Sequence, residues 1–209
     1  MRSYKIHLIR HGSTAANQEG RYIGARTDLS LSKEGQKELK AMKEKYRYPY
    51  VDVVYSSPLA RCLESAKILF PEREIVTVEN MREYDFGEFE GKTAKELEGR
   101  PDYAAWASGQ MPAPVGGESS KDFTARIVLA LNEIIRDMMA RECYEAAALM
   151  HGGAIMMLLA ACALPQHHPA EWTSENGTGY TAIVTPSLYQ KSGIIEVVNL
   201  VPSEEYDEI

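Results

Sequence analysis

The chain is predicted to fold as an α/β domain with a mostly parallel sheet between two layers of helices. Short apolar runs with strand-like patterning alternate along the sequence with longer stretches of helical periodicity. This alternation is typical of parallel strands joined by crossing helices. The length of 209 residues suits a single domain, over residues 1–209, that buries its own core.

Six runs are predicted as strands because they are short, apolar and separated by helical or turn sequence. They are Ile6–Ile9, Val51–Tyr55, Ile75–Val78, Ala146–Met150, Thr181–Thr185 and Ile194–Val198. Most of them are followed by a longer stretch, so the connections between parallel neighbours are expected to be helical.

Four stretches are predicted as helices. Ser32–Tyr46 carries apolar residues at helical spacing, and Ser57 with Pro58 is expected to cap the next helix and supply its first residue. Phe123–Met138 has the clearest amphipathic stripe. Ala154–Leu164 is apolar nearly all round, so we expect it to be covered on most sides.

Two segments lack this regularity. Residues 84–120 are rich in glycine and contain Pro101, Pro112 and Pro114, which predicts an irregular excursion of the same domain with short helices. The acidic end, Ser203–Ile209, is expected to be a solvated tail.

Composition and charge argue against several classes of partner. A net charge of −7 disfavours a nucleic-acid binder, which needs a basic face. Ala154–Leu164 is too short to span a bilayer and no signal-like apolar region precedes Arg10, so no membrane partner is expected. The widely spaced Cys62, Cys143 and Cys162 suggest neither a disulfide framework nor a metal site, and they favour a reducing cytoplasm.

Arginine and histidine side chains follow three of the predicted strands. Arg10 and His11 follow the first strand, Arg61 lies on the first turn after the second, and His151 follows Ala146–Met150. Ligands of open α/β sheets bind beyond the carboxyl ends of the strands, so these side chains are expected to meet in one pocket. Arginine forks match phosphate oxygens, and the glycines after each histidine let backbone N–H groups approach an anion.

Such a pocket suits phosphoryl transfer, in which charge neutralisation and in-line positioning dominate catalysis. A neutral imidazole can serve as the nucleophile, and a carboxylic acid kept protonated can supply the leaving group with its proton. The pattern alone leaves His11 and His151 as equal candidates for the nucleophile.

Several motifs, in chain order and over most of the chain, resemble the histidine phosphatase (phosphoglycerate-mutase-like) superfamily. They are Leu8–Thr14 with Asn17, Gly24–Gly35, Ser56–Arg61, Glu83 with Phe86–Gly91, Gly117–Ser119, and His151–Gly153. The sequence around Glu83 is most similar to the small phosphatase branch, which includes the α-ribazole phosphatases.

The resemblance implies a phosphoglycerate-mutase-like three-layer α/β/α sandwich in which residues 84–120 lie over the active site. It also implies that His11 becomes a transient phosphohistidine and that Glu83 is the general acid, later the base. No metal or cofactor is implied. The side chains that it assigns to the phosphoryl oxygens are Arg10, Asn17, Arg61 and His151.

Three functions remain to be weighed. A phosphoglycerate mutase-type phosphotransferase would need basic residues for a second phosphate, whereas residues 84–120 contain only Lys92, Lys95 and Arg100. A non-catalytic phosphate-binding module would need no proton donor such as Glu83. We therefore expect a metal-independent phosphomonoester hydrolase acting on a small-molecule phosphate monoester in the cytoplasm. The physiological ester and the oligomeric state are not predicted.

Overall fold

A mixed sheet of seven strands forms the middle layer of the computed structural model, which describes residues 2–203. The strands are β1 (Tyr4–Arg10), β2 (Val53–Ser56), β3 (Ile75–Thr77), β4 (Glu145–Met150), β5 (Ala163–Leu164), β6 (Gly179–Val184) and β7 (Ile195–Val201). Their order across the sheet is β3-β2-β4-β1-β6-β7-β5. Only β6 runs antiparallel to its described neighbours. The predicted α/β class with a mostly parallel sheet is confirmed.

Helices cover this sheet. In the described part of the chain they are α1 (Ala15–Gln18), α2 (Lys33–Lys45), α3 (Ala60–Leu69), α4 (Ala94–Leu97), α5 (Pro101–Ala107), α6 (Ser120–Ala140), α7 (Gly152–Cys162) and α8 (Pro186–Ser192). Single 3₁₀ turns occur at Glu79–Met81, Gly87–Phe89 and Pro169–Glu171. The sequence patterns did not predict α1 or α8, which are too short for helical periodicity to be visible.

The central strand β4 shows how the layers are built. Ala146, Ala148 and Met150 belong to a core cluster shared with α6 and α7. Ala147 and Leu149 face the opposite way, into a second cluster shared with α2 and α3. Burial on both faces explains why this strand is apolar throughout. The three-layer arrangement therefore follows from one strand with two buried faces.

The amphipathic helix α6 is formed as predicted. Its buried stripe includes Phe123, Ile127, Leu131 and Met138, at spacings of four, four and seven residues, that is, one or two helical turns. Ser119 is the N-cap, and its side chain accepts a hydrogen bond from a backbone N–H of the first turn. The helix packs along the sheet face opposite to α2 and α3.

The predicted cap at Ser57 and Pro58 is wrong. Helix α3 begins at Ala60, after an extended Leu59 whose side chain makes no capping hydrogen bond. The carboxylate of Asp28 accepts from the Ala60 N–H at 2.6 Å, so a segment distant in sequence caps the helix. The Ser57 hydroxyl lies instead against an imidazole of the site described below.

The predicted end of the apolar helix at Leu164 is also wrong. Helix α7 ends at Cys162, and Ala163–Leu164 forms strand β5, which pairs with β7. Leu164 precedes Pro165, and a residue before proline disfavours the helical conformation. Of the predicted acidic tail, Ser203 pairs with Arg47, and residues 204–209 lie outside the described residues.

Replacement of Ile127 by alanine is expected to destabilise the fold through the core between α6 and the sheet. Ile127 is 0% exposed, so Ile127→Ala should lower the free energy of unfolding by about 2–5 kcal/mol. Leu129, on the same helix, is 55% exposed, and Leu129→Ala should change it by less than about 0.5 kcal/mol. Urea unfolding of both variants measures the difference, and equal losses would contradict the assigned helix face.

Candidate active site

The two histidines of the site lie next to each other because their strands are parallel neighbours. Arg10 is paired with Met150 at the carboxyl ends of β1 and β4. The residues that directly follow these strands, His11 and His151, therefore lie side by side. The two imidazole centroids are 5.2 Å apart and the rings meet edge to face. Both side chains are buried. The predicted meeting of strand-end residues at one sheet edge is therefore observed.

One hydrogen bond sets the tautomer of His11. Its Nδ1 lies 2.7 Å from the carbonyl oxygen of Gly12. Because a carbonyl only accepts, Nδ1 carries the proton and Nε2 keeps a free lone pair. The backbone is held at the same time, since the His11 N–H donates to Met150 O at 3.0 Å and Asn176 Nδ2 donates to His11 O at 2.8 Å.

The surroundings keep this imidazole uncharged. Burial is the larger cause and the positive charge of Arg61 the next, and together with Arg10 they lower the pKa of His11 to about 3 against the opposing hydrogen bond to Gly12. A neutral imidazole with a free Nε2 lone pair is the state required of a nitrogen nucleophile.

Arg61 is a charged side chain in a buried place. It is 1% exposed, and its guanidinium donates from Nη1 to Thr27 O at 3.0 Å and from Nη2 to Gly24 O at 3.1 Å. Its Nε donates to His151 Nδ1 at 3.3 Å. A guanidinium has five N–H groups, so two remain for a ligand. The three partners are neutral, and the charge remains available to an anion.

The contact with Arg61 also sets the tautomer of His151. Since Arg61 only donates, His151 Nδ1 accepts, and the ring proton is on Nε2, 2.8 Å from Ser57 Oγ. Burial first, then the charge of Arg61, lowers the pKa of His151 well below its usual value. His151 is thus a neutral donor, whereas His11 is a neutral acceptor at Nε2.

Arg10 lies against the first residue of α7. Its Nη1 donates to Ser174 O at 2.6 Å, and its Nε is buried without a hydrogen-bond partner in the structure. A Cβ on Gly152 would lie 3.3 Å from that Nε, so the glycine lets the guanidinium approach the start of the helix closely. Arg10 therefore has several donors free for phosphate oxygens.

Glu83 is the carboxyl group of the site. It is buried, and its oxygens accept hydrogen bonds from Tyr84 N at 2.9 Å and from Gly153 N at 3.1 Å. A Cβ on Gly153 would lie 2.7 Å from Glu83 Oε1, so a side chain at this position would displace the carboxyl group. Burial raises the pKa of Glu83, against those two backbone hydrogen bonds and the charges of Arg61 and Arg10.

Asn17 is placed differently from the other predicted site residues. Its Oδ1 accepts from the Thr14 N–H at 3.1 Å and from Thr14 Oγ1 at 3.0 Å, which caps the short helix α1. Its side-chain NH₂ is the donor that remains for a phosphate. The structure brings Arg10, His11, Arg61, Glu83 and His151 together by the contacts and charge interactions above, whereas the described hydrogen bonds of Asn17 stay within its own turn.

Two side chains of the site were not assigned to it from the sequence: Ser57, which lies within a motif but was predicted as a helix cap, and Asn176. Ser57 Oγ contacts His151, and Asn176 fixes the backbone carbonyl of His11. The signal for Asn176 is its position just before β6, whose first residue, Gly179, pairs with Ile9 near the end of β1. That signal becomes visible only when the antiparallel pairing of β6 with β1 is known.

Within residues 2–203 there is no group of three or more histidine, cysteine, aspartate or glutamate side chains arranged to hold a metal ion. No α-helix of the same range is long and apolar enough to cross a membrane.

Comparison with known proteins places the chain in a family. The model of the histidine phosphatase superfamily (branch 1) matches residues 6–199. The chain belongs to this superfamily. It is 27% identical over 161 residues to the adenosylcobalamin/α-ribazole phosphatase of Salmonella typhimurium, covering 75% of this chain and 78% of that protein. It is 31% identical over 137 residues to phosphoserine phosphatase 1 of Hydrogenobacter thermophilus, covering 62% and 64%.

The crystal structure of phosphoglycerate mutase from Bacillus anthracis is similar with a TM-score of 0.75 at 18% identity, covering 95% of this chain and 92% of that one. This likeness confirms the predicted phosphoglycerate-mutase-like fold. Family membership and the phosphatase relatives identify the chain as a phosphomonoesterase that works through a phosphohistidine intermediate. The expected enzyme class is confirmed.

The two tautomers can be measured directly by nitrogen-15 NMR of histidine-labelled protein. Between about pH 6 and 8 both imidazoles should be neutral, with the proton of His11 on Nδ1 and that of His151 on Nε2. The signals are assigned by their loss in His11→Ala and in His151→Ala. An imidazolium at either position within this range, or a shared tautomer, would contradict the electrostatic account.

Proposed function

We propose that His11 is the residue that carries the phosphoryl group. Its Nε2 lone pair attacks phosphorus, the Nε2–P bond forms, and the bond from phosphorus to the ester oxygen breaks. Water then attacks the phosphohistidine, the N–P bond breaks, and inorganic phosphate leaves. The observation that carries this assignment is the Nδ1–H hydrogen bond to Gly12 O, which leaves Nε2 unprotonated.

The phosphoryl oxygens are bound by a cradle of donors: Arg10, Asn17, Arg61 and His151. Arg61 offers two free N–H groups, and Arg10 offers its unpartnered Nε and further guanidinium donors. His151 offers Nε2–H, which Ser57 accepts in this structure. Because Arg61 and His151 are buried and Arg10 is half-buried, their attraction for a phosphoryl anion is weakly screened. Asn17 contributes its side-chain NH₂.

Glu83 supplies the proton to the departing ester oxygen. A raised pKa favours its protonated form, which is the form that donates. Once it is ionised, the same carboxylate accepts a proton from the attacking water, so the group ends each cycle as it began. The Gly153 N–H, at the start of α7, holds one carboxyl oxygen throughout.

The segment of residues 84–120, over the site, fits hydrolysis. It does not fit return of the phosphoryl group to a substrate that carries a second phosphate. Its basic residues are largely engaged: Arg100 is paired with Asp102 and Glu88, and Lys92 donates to the carbonyl of Glu88. Little positive charge remains there for the second phosphate that a mutase substrate carries. The relatives' names differ in the alcohol released and share the phosphate monoester, which is the proposed substrate class.

We also propose a domain organisation, a class of partners and a cellular location for the chain. Residues 84–120 belong to the single domain and border the active site, because Glu90 accepts from the backbone of Gly24 and Arg26 in the loop that holds Arg61. The net charge of −7 disfavours nucleic-acid and membrane-surface partners. Free buried cysteines in the described part of the chain support a cytoplasmic location.

Removal of the His11 imidazole should abolish turnover of p-nitrophenyl phosphate in excess EDTA. With the nucleophile gone, His11→Ala should lose about 10⁴-fold or more in kcat, while the wild type should be unaffected by the chelator. The exposed His167 supplies a matched control, since His167→Ala should keep the wild-type rate. Near-normal activity of His11→Ala would exclude it as nucleophile, and wild-type activity lost in EDTA would exclude the metal-free mechanism.

The role of Glu83 can be read from leaving-group dependence. Glu83→Gln keeps the shape but loses the acidic proton, so kcat/KM for an alkyl phosphate, which reports the steps up to ester cleavage, should fall by about 10²–10⁴-fold. For p-nitrophenyl phosphate, whose leaving group needs no proton, the loss should stay below about 10-fold. Equal losses on both esters would contradict the general-acid assignment.

A further inference from the structure

The backbone that carries Glu83 lies outside regular secondary structure. A single 3₁₀ turn, Glu79–Met81, precedes it, and residues 82–86 belong to neither helix nor strand. Among the described hydrogen bonds, only those from Tyr84 N and Gly153 N hold the Glu83 carboxyl group itself. Contacts from elsewhere in the fold must therefore fix where this backbone lies.

Arg126 supplies those contacts from the second turn of α6. Its Nη1 donates to Asn80 O at 2.9 Å and to Arg82 O at 3.0 Å, and its Nη2 donates to Glu83 O at 3.3 Å. The Nε and Nη2 atoms bind the two carboxylate oxygens of Glu118 at 2.9 and 2.7 Å. Five hydrogen bonds account for all five N–H groups of a guanidinium.

Glu118 fixes this guanidinium and also holds the segment on the other side of Glu83. The bidentate pair is partly buried, with 23% of the Arg126 side chain and 17% of the Glu118 side chain exposed. The backbone N–H of Glu118 donates to Asp85 O at 3.0 Å. The guanidinium carbon also lies 5.2 Å from the ring centroid of Phe123, which belongs to the buried core. The pair therefore connects the segment on both sides of Glu83 to the rigid start of α6.

We propose that Arg126 and Glu118 are a positioning pair for the general acid, an inference that rests on the role proposed for Glu83. Neither side chain touches the reacting atoms. The Glu118 carboxylate fixes the Arg126 guanidinium, which holds the carbonyls of Arg82 and Glu83, and the backbone N–H of Glu118 holds that of Asp85, so that the Glu83 carboxyl stays within reach of the departing oxygen. Proton transfer is sensitive to such placement, since a displacement of about 1 Å can cost about 10²-fold in rate.

Lysine cannot replace Arg126 in this role. Its ammonium keeps the charge but offers three donors from one point, whereas the observed contacts need five donors in a planar fork. Arg126→Lys should therefore lower kcat for an alkyl phosphate by about 10- to 100-fold with KM within about 3-fold. The kcat/KM for p-nitrophenyl phosphate should change by less than about 3-fold, because this constant reports the steps up to ester cleavage and cleavage of this ester does not need the acid.

The matched control is Arg136→Lys, the same substitution at an exposed position of the same helix, which should leave both rates unchanged. Glu118→Gln is the second variant. It keeps the side-chain shape, removes the charge that fixes the guanidinium, and should show the same leaving-group dependence as Arg126→Lys even if the lysine variant folds poorly.

The decisive step is a double-mutant cycle on the alkyl phosphate. If Arg126 acts through Glu83, then Arg126→Lys should cause little further loss in the Glu83→Gln background. A loss as large as in the wild-type background, or an equal loss on both esters, would overturn the positioning role. If Glu83→Gln itself shows no leaving-group dependence, the proposed general acid fails. If Glu83→Gln does and Arg126→Lys does not, only the positioning pair fails.

Discussion

The burial of the Arg61 guanidinium is the interaction on which the rest of the site depends. Burying a charged side chain that is only 1% exposed destabilises the fold unless its hydrogen-bond donors are satisfied. Two carbonyls of the 24–28 loop and one nitrogen of His151 satisfy three of them, and none of these partners cancels the charge. The fold thus maintains an unneutralised cation beside two imidazoles, and a phosphoryl anion is the natural group to complete it.

The same burial has opposite effects on the two kinds of titratable group. It lowers the pKa of His11, and the arginine charges lower it further, so the proposed nucleophile stays neutral. It raises the pKa of Glu83 against those charges, so the acid is biased toward its protonated form. One low-dielectric pocket therefore favours the unprotonated form of an imidazole and the protonated form of a carboxyl group. The chain's net charge of −7 has no part in this, because the positive charge is local.

The features of the fold and the site that could be predicted from the sequence are those that depend on local patterning and on the ends of strands. The parallel pairing of β1 with β4 brings His11 to His151, as expected from the shared edge of a sheet. Glu83 was identified by family resemblance alone, since its burial and its contact with Gly153 depend on distant packing. The start of α3 was mispredicted because Asp28, far away in sequence, caps this helix. Strand β5 was not predicted because its partner, β7, comes later in the chain. The positioning pair of Arg126 and Glu118 could not be predicted either, because its contacts join segments that are distant in sequence.

In the proposed mechanism, the phosphoryl group is carried on Nε2 of His11. Its most direct test is to mix the enzyme with ³²P-labelled p-nitrophenyl phosphate, quench in alkali during turnover, and locate the label by peptide mapping and mass spectrometry. We expect one acid-labile phosphoryl group on the peptide that contains His11, attached at Nε2. Label on His151, attachment at Nδ1, or turnover without any labelled protein would contradict it.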